Sequence, residues 1–186
     1  MSCSDGGAAS AGGPLVAVSS RRIRVPERIT WAVEQLDLSP THRVLEFGCG
    51  PGVAAVLVAE RLTEGSLLAI DRSATAVARA TARVDTDRVT VEQVALADLP
   101  TDQSFDVAFG VNVNLFWTGA AEAECQVLAD VVAPGGAVHV VYETPGQPGR
   151  DVAGRVAAAL ERHGFESTTT RGPGGSLLCV TGRRIA

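Results

Sequence analysis

A chain of 186 residues, 46% hydrophobic but only 4% aromatic, is long enough for one domain with a sizeable core. Its net charge of -5, with all 16 basic residues arginine, gives no basic field for steering toward phosphates, so nucleic acid is disfavoured as a partner. An interior of Val, Ala and Leu suits parallel strands covered on both faces by Ala-rich helices, and the expected fold class is α/β.

Residues 1–20 are rich in Gly, Ala and Ser and read as a disordered leader, which leaves 21–186 as the folded domain. Within that leader Leu15-Val16-Ala17-Val18 is too short for a signal-peptide core or a membrane span, so a cytoplasmic protein with no membrane partner is expected. Cys3, Cys49, Cys125 and Cys179 form no C-x-x-C pair and read as free thiols; neither a metal site nor a disulfide framework is expected. A first helix runs from Pro26 to about Leu36, with Ile29, Val33 and Leu36 on one face, and proline sits early, where its missing N–H costs nothing.

Val44-Leu45-Glu46-Phe47-Gly48-Cys49-Gly50-Pro51-Gly52 joins an apolar strand to a helix beginning at Val53. Gly48, Gly50 and Gly52 let the chain bend with φ > 0 and let a small molecule approach the backbone. The helix N-terminus that follows suits a carboxylate or phosphate. Glu46 beside the glycines repels a pyrophosphate and favours a cation or zwitterion. The glycines alone leave the ligand open, since Gly50-x-Gly52-x-x-Ala55 also satisfies a dinucleotide-binding pattern.

Leu67 to Ile70 reads as a second buried strand closed by Asp71, about twenty residues beyond the glycines, the offset at which an acid accepts ribose hydroxyls. Ser73 caps a helix carrying Val77, Ala78, Thr81 and Val84 on one side. Val89 to Val94 reads as a third strand followed by Ala97-Asp98-Leu99, and Phe105 to about Val113 as a fourth. A helix from Ala120 to Val132 stops at Pro134-Gly135-Gly136 before a fifth strand, Ala137 to Tyr142. Asp151 caps a last helix ending at His163-Gly164, and Glu166 to Thr170 with Ser176 to Thr181 reads as a terminal hairpin.

The run Glu46-Phe47-Gly48-Cys49-Gly50-Pro51-Gly52 resembles the first motif of class I S-adenosylmethionine-dependent methyltransferases, and the likeness extends from about Pro26 to the C-terminus. The resemblance implies a Rossmann-like, doubly wound, mostly parallel sheet of about seven strands with a C-terminal antiparallel hairpin. It implies S-adenosylmethionine as cofactor, with Glu46, Gly48, Gly50 and Gly52 at the methionine end, Asp71 on the ribose and Asp98 on the adenine amino group. Two readings from other classes stand beside it: a nicotinamide-dependent oxidoreductase, which would lack a Tyr-x-x-x-Lys pair because the chain has no lysine, and a non-catalytic adenosyl-binding domain.

Methyl transfer from a sulfonium is an in-line displacement accelerated by alignment and water exclusion, so no catalytic side chain is obligatory and none is assigned. His139 alternates with core valines inside a strand and reads as a satisfied core residue, while His42 and His163 sit at element ends. Tyr142 and Glu143 lie at the strand edge that binds ligands, with anchoring as the equal alternative. Asn112 to Trp117 leaves that edge with two amides and two large aromatics. It reads as the acceptor side of the pocket, with Asn112 orienting the methionine end or the acceptor, and equally as a segment whose Phe116 and Trp117 fill a gap between strand and helix. The expected acceptor is a small molecule held among Arg24 to Trp31, Asn112 to Trp117 and the loop after Glu143. The sequence carries no signal for oligomeric state.

Overall fold

The computed structural model describes residues 15–18, 21–119, 121–144 and 151–185. Two short strands, β1 (Leu15–Val18) and β2 (Arg21–Arg24), pair antiparallel with Leu15 opposite Arg24. The end of the stretch read as a disordered leader therefore carries strand structure; residues 1–14 lie outside the described ones.

The domain proper runs α1 (Glu27–Glu34), β3 (Arg43–Phe47), α2 (Val53–Ala59), β4 (Ser66–Asp71), α3 (Ala74–Thr81) and β5 (Val89–Gln93), then a 3-10 turn at Leu96–Asp98. It continues through β6 (Phe105–Val111), α4 (Leu115–Thr118), α5 (Glu122–Val131), β7 (Val132–Glu143), α6 (Val152–Arg162), β8 (Phe165–Arg171) and β9 (Leu177–Arg184). Seven strands form one sheet in the order β5-β4-β3-β6-β7-β9-β8. β5, β4, β3, β6 and β7 are parallel, and β9 runs antiparallel to both β7 and β8. The expected mostly parallel sheet of seven strands with its closing antiparallel hairpin is thus present.

Strand alternation divides the core into two layers. Val44, Val107 and Phe109 face α1, α2 and α3 among Val33, Leu36, Ala55 and Val58. Leu45, Phe47 and Ala108 face the other side, against Leu128 of α5 and Val156 and Leu160 of α6. Burying each such aliphatic or aromatic side chain contributes about 1.5–3 kcal/mol, so the layers hold the strand ends in place. Ser73 caps α3 by accepting a hydrogen bond from Ala76 N at 3.4 Å, and Asp151 caps α6 from Gly154 N at 2.8 Å, both as the sequence indicates.

The chain proceeds from β3 outward to β4 and β5, then returns to place β6 on the opposite side of β3. That reversal opens a crevice above the carboxyl ends of β3 and β6, the place where open α/β sheets hold ligands. β6 ends at Val111 rather than near Val113, because Asn112 turns to φ 55°, and its N–H still donates to Val141 O at 2.8 Å.

Candidate functional site

A cleft of about 610 Å³ lies along that edge. Phe47 and Gly48 of the first strand and its turn, Asp71 and Arg72 at the end of β4, and Val94, Ala95 and Leu96 beyond β5 form one wall. Asn112, Val113, Asn114 and Leu115, with Gly119, Ala121 and Glu124, form the other.

The glycine turn takes the expected shape. Gly48, Gly50 and Gly52 all have positive φ, at 67°, 53° and 74°, where a residue with a Cβ is strained by about 1–2 kcal/mol. A Cβ on Gly52 would also stand 2.9 Å from Ala80 of α3, so that glycine lets α3 close against the turn. A Cβ on Gly50 would meet nothing within 4 Å. The space above Gly50 is therefore open, and a side chain would only fill the approach to the backbone.

Asp71 is held by its surroundings. Its Oδ2 accepts from Gly50 N and its Oδ1 from Ser73 N, each at 2.9 Å, which ties the tip of β4 to the glycine turn. Each carboxylate oxygen has a second lone pair, so the group can still accept hydroxyls from the cleft. Gly50 N–H is accordingly spent on Asp71, a departure from the expectation that the turn's N–H groups face the ligand.

Glu46 sits under the turn rather than in the cleft lining; it is 3% exposed, and its Oε2 has no hydrogen-bond partner. Alternation puts it on the same face as Val44, towards α1 and α2. Burial, and then the neighbouring Asp71, push its carboxyl up to about 8. Near neutral pH Glu46 is therefore mostly protonated. The charge expected to repel a pyrophosphate is not carried by Glu46 until a cation arrives.

Asp98, expected at the nucleobase, lies exposed on the 3-10 turn Leu96–Asp98, directly after Val94, Ala95 and Leu96, which line that end of the cleft. The apolar triplet ending β5 was the readable signal for this wall, since residues just past a parallel strand face the ligand edge.

Asn112 is exposed and lines the cleft, and its Oδ1 accepts from Glu143 N at 2.8 Å. That bond locks β6 to β7 and leaves the amide Nδ2 with two donors in the cleft region. Asp37, Asn112 and Ala121 have positive φ without being glycine, and two of these three described residues line the cleft, the kind of place where backbone strain accompanies function.

The remaining polar residues divide cleanly. Tyr142 is buried, and its hydroxyl donates to Val113 O at 2.6 Å; burial also raises its pKa, so it anchors the β6 tail rather than serving as a base. Glu143 pairs with Arg28 of α1 at 3.2 Å. Phe116 is buried in the core, while the side chains of Trp117 and Thr118 and residues 145–150, the loop after Glu143, lie outside the described residues. His139 is buried with Nδ1 3.1 Å from Thr181 Oγ1, His42 Nδ1 accepts from Ser39 N at 3.1 Å, and His163 Nδ1 lies 2.8 Å from Ala159 O. Cys49, Cys125 and Cys179 are buried free thiols, and burial first of all pushes Cys49 up to about 12. Cys3 lies outside the described residues.

The carboxyl edge thus brings together a glycine turn open above Gly50, a carboxylate fixed beside it, an apolar wall beyond β5 and, beneath the turn, a buried carboxyl oxygen without a hydrogen-bond partner. Residues 44–136 match the family model described as a methyltransferase domain, half of the chain. The trans-aconitate 2-methyltransferase of Delftia acidovorans is 28% identical over 107 residues, and that of Methylobacterium nodulans 32% over 106. Each match covers 57% of this chain and 40% of the relative, so the chain spans well under half of those proteins. A putative S-adenosylmethionine dependent methyltransferase from Listeria monocytogenes superposes with a TM-score of 0.69 at 15% identity, covering 86% of this chain and 99% of that one; at such identity the likeness concerns the fold alone. No helix among the described residues is long and apolar enough to cross a membrane.

Proposed function

This chain belongs to the class I S-adenosylmethionine-dependent methyltransferases, and from that premise we propose that it transfers a methyl group from S-adenosylmethionine to a small-molecule acceptor by in-line displacement. The observation that carries this is Asp71, fixed by two backbone N–H groups at the rim of a cleft whose floor is an open glycine turn. The sheet supplies the layout. From β5 to β6 the strand tips span three interstrand spacings, about 14 Å, room for a nucleobase by β5, a ribose at Asp71 on β4, and an amino-acid end over β3.

Bound S-adenosylmethionine supplies the chemistry, a methyl group made electrophilic by its sulfonium. Asp71 would accept the ribose hydroxyls, Gly48, Gly50 and Gly52 would admit the amino-acid end, and Glu46 would offer its unpartnered oxygen to the ammonium. Val94, Ala95 and Leu96 would cover the base. Asn112, braced by Glu143 N–H, would orient the acceptor or the methionine end, and the β6 tail pinned by Tyr142 would help to exclude water. No base is assigned, because displacement at a sulfonium methyl needs one only when the acceptor must lose a proton.

A small acceptor is favoured by relatives named for trans-aconitate and by a cleft formed within one domain. The net charge of -5 speaks against nucleic acid. Folding of 21–186 as the domain and a cytoplasmic location belong to the same proposal, supported by three free buried thiols.

Calorimetric titration with S-adenosylmethionine, its demethylated product and NAD tests the cofactor: the first two bind and NAD does not. Binding of NAD alone would overturn the reading in favour of an oxidoreductase. Transfer of an isotopically labelled methyl group to phenol, amine, carboxylate or thiol acceptors then separates an enzyme from a domain that only binds.

A further inference from the structure

Helix α1 crosses the sheet from its ligand edge to its amino end. Arg28, in its first turn, pairs with Glu143 at the carboxyl tip of β7, and Leu36, just past its last residue, lines a recess at the amino end. The turn between β8 and β9 lies at the same ligand edge, because Leu177, the start of β9, stands opposite Glu143, and Thr144 N donates to Ser176 O at 2.7 Å. Trp31 joins the two. It packs on the cluster of Ala32, Val141 and Cys179, and its Cε2 stands 3.0 Å from where a Cβ on Gly172 would lie, so the turn can rest on the indole only with a glycine there.

On the reading of the cleft as a methyltransferase site, we propose that this corner holds the methyl acceptor, and that the acceptor bears a carboxylate bound by the Arg28 guanidinium with help from the Trp31 indole N–H.

Both side chains donate and neither accepts, and residues three apart share a helix face. Arg28 spends one N–H on Glu143, Nη1 to Oε2 at 3.2 Å, and among the described residues no other hydrogen bond engages it. The indole nitrogen of Trp31, bonded to the carbon that faces Gly172, has no hydrogen-bond partner among them either. Glu143 is a weak lock on Arg28. The two side chains are 38% and 40% exposed, and an exposed pair held by one bond contributes little, whereas an incoming carboxylate can take two parallel N–H groups of the guanidinium. Asn112 connects the corner to the cleft, since it lines the cavity and its Oδ1 accepts from Glu143 N. β7 lies two strands from β3, about 10 Å, so a small molecule anchored at Arg28 can reach a methyl group delivered from above β3. Glu143 repels a second negative charge beside Arg28, which favours a singly charged carboxylate over a phosphate dianion.

The test supplies the full chain and labelled S-adenosylmethionine with a low-molecular-mass cell extract separated beforehand on an anion-exchange resin. Label is expected to pass to the retained fraction, and still to do so after that fraction has been treated with phosphatase. Arg28→Gln lowers transfer about 10- to 100-fold at limiting extract, with a much smaller loss in concentrated extract. Trp31→Phe, which removes the N–H and keeps an aromatic ring, lowers it about 3- to 10-fold. Glu143→Gln acts in the opposite direction and raises transfer at limiting extract, because it frees the guanidinium. Affinity for S-adenosylhomocysteine, read by calorimetry, stays within about a factor of two in all three variants. Transfer confined to the unretained fraction, its loss on phosphatase treatment, or equal losses in Arg28→Gln and Glu143→Gln, as a purely structural ion pair would give, overturns the proposal. Transfer to neither fraction while S-adenosylhomocysteine still binds overturns the methyltransferase reading instead, leaving a domain that only binds.

Discussion

The two ends of the central sheet treat polar groups in opposite ways. At the amino end a recess of about 330 Å³ is lined by His42, Asp106, His139 and Arg183, and three of these side chains are tied to the chain itself. His42 Nδ1 accepts from Ser39 N, Asp106 Oδ2 accepts from Arg43 N at 2.7 Å, and His139 pairs with Thr181. At the carboxyl end Glu46 keeps a buried oxygen without a partner, and the space above Gly50 is open. A recess whose histidines and aspartate are tied to the chain itself is part of the scaffold. An edge whose polar groups are left waiting is built for something else to complete it, since a buried polar atom without a partner costs about 1–3 kcal/mol.

Asp71 breaks this comparison most severely, because it both shapes the turn and faces the cleft. Asp71→Ala removes the ribose acceptor and orphans the N–H groups of Gly50 and Ser73. Affinity for S-adenosylmethionine is expected to fall about 100-fold, some 2.7 kcal/mol, read by calorimetry. A dissociation constant within a factor of two of the unsubstituted protein would remove Asp71 from the site.

The glycines sharpen the contrast within a single turn. Gly52→Ala meets both a left-handed φ and Ala80 at 2.9 Å, and is expected to cost about 2–3 kcal/mol of stability in urea unfolding. Gly50→Ala meets only the φ, because no atom lies within 4 Å of its Cβ, so about 1 kcal/mol is expected. Its main effect should be weaker cofactor binding. Equal stability losses in the two variants would mean that Ala80 yields to the added methyl, and unchanged cofactor affinity in Gly50→Ala would mean that the space above Gly50 has no role.

Asp71 and the glycine turn were legible in the sequence because strand, turn and helix spacing fixes which atoms reach the edge. The same holds for the seven-stranded sheet, whose apolar runs and caps are local signals. What escaped depends on rotation rather than order. Asp98 follows the third strand of the sequence as expected, but on a 3-10 turn that no residue pattern announced. Asn112 ends β6 early through a backbone angle that no side-chain pattern announces. Glu46 was read as a charge at the pocket rim, yet alternation sends it beneath the turn, where burial removes the charge.

The pH dependence of stability compares the two ends most finely, because each buries a group that titrates between about pH 4 and 8, Glu46 at one end and His139 at the other. Burial, with Asp71 adding to it, raises Glu46 from 4.5 to about 8. Below 4.5 the folded and unfolded chains both hold the proton; from there to about 8 only the native state does, so stability falls as pH rises and the loss is complete above 8. Burial, reinforced by Arg183, lowers His139 from 6.5 to about 4. Its contribution is whole above 6.5 and fades as pH drops towards 4, because the unfolded chain takes up a proton that the native state refuses. The two slopes oppose each other between 4.5 and 6.5, and from 6.5 to 8 Glu46 acts alone. The native protein is therefore expected to lose up to about 2 kcal/mol over that interval, measured as a falling urea midpoint. Glu46→Gln should flatten that limb while leaving the acid limb of His139 in place. A cationic ligand beside Glu46 favours its charged form, so binding near pH 7 should release a fraction of a proton, seen as a calorimetric enthalpy that varies with the buffer. An enthalpy independent of the buffer, together with a flat limb in the unsubstituted protein, would mean that Glu46 is already satisfied and that the carboxyl end of the sheet is no more expectant than the amino end.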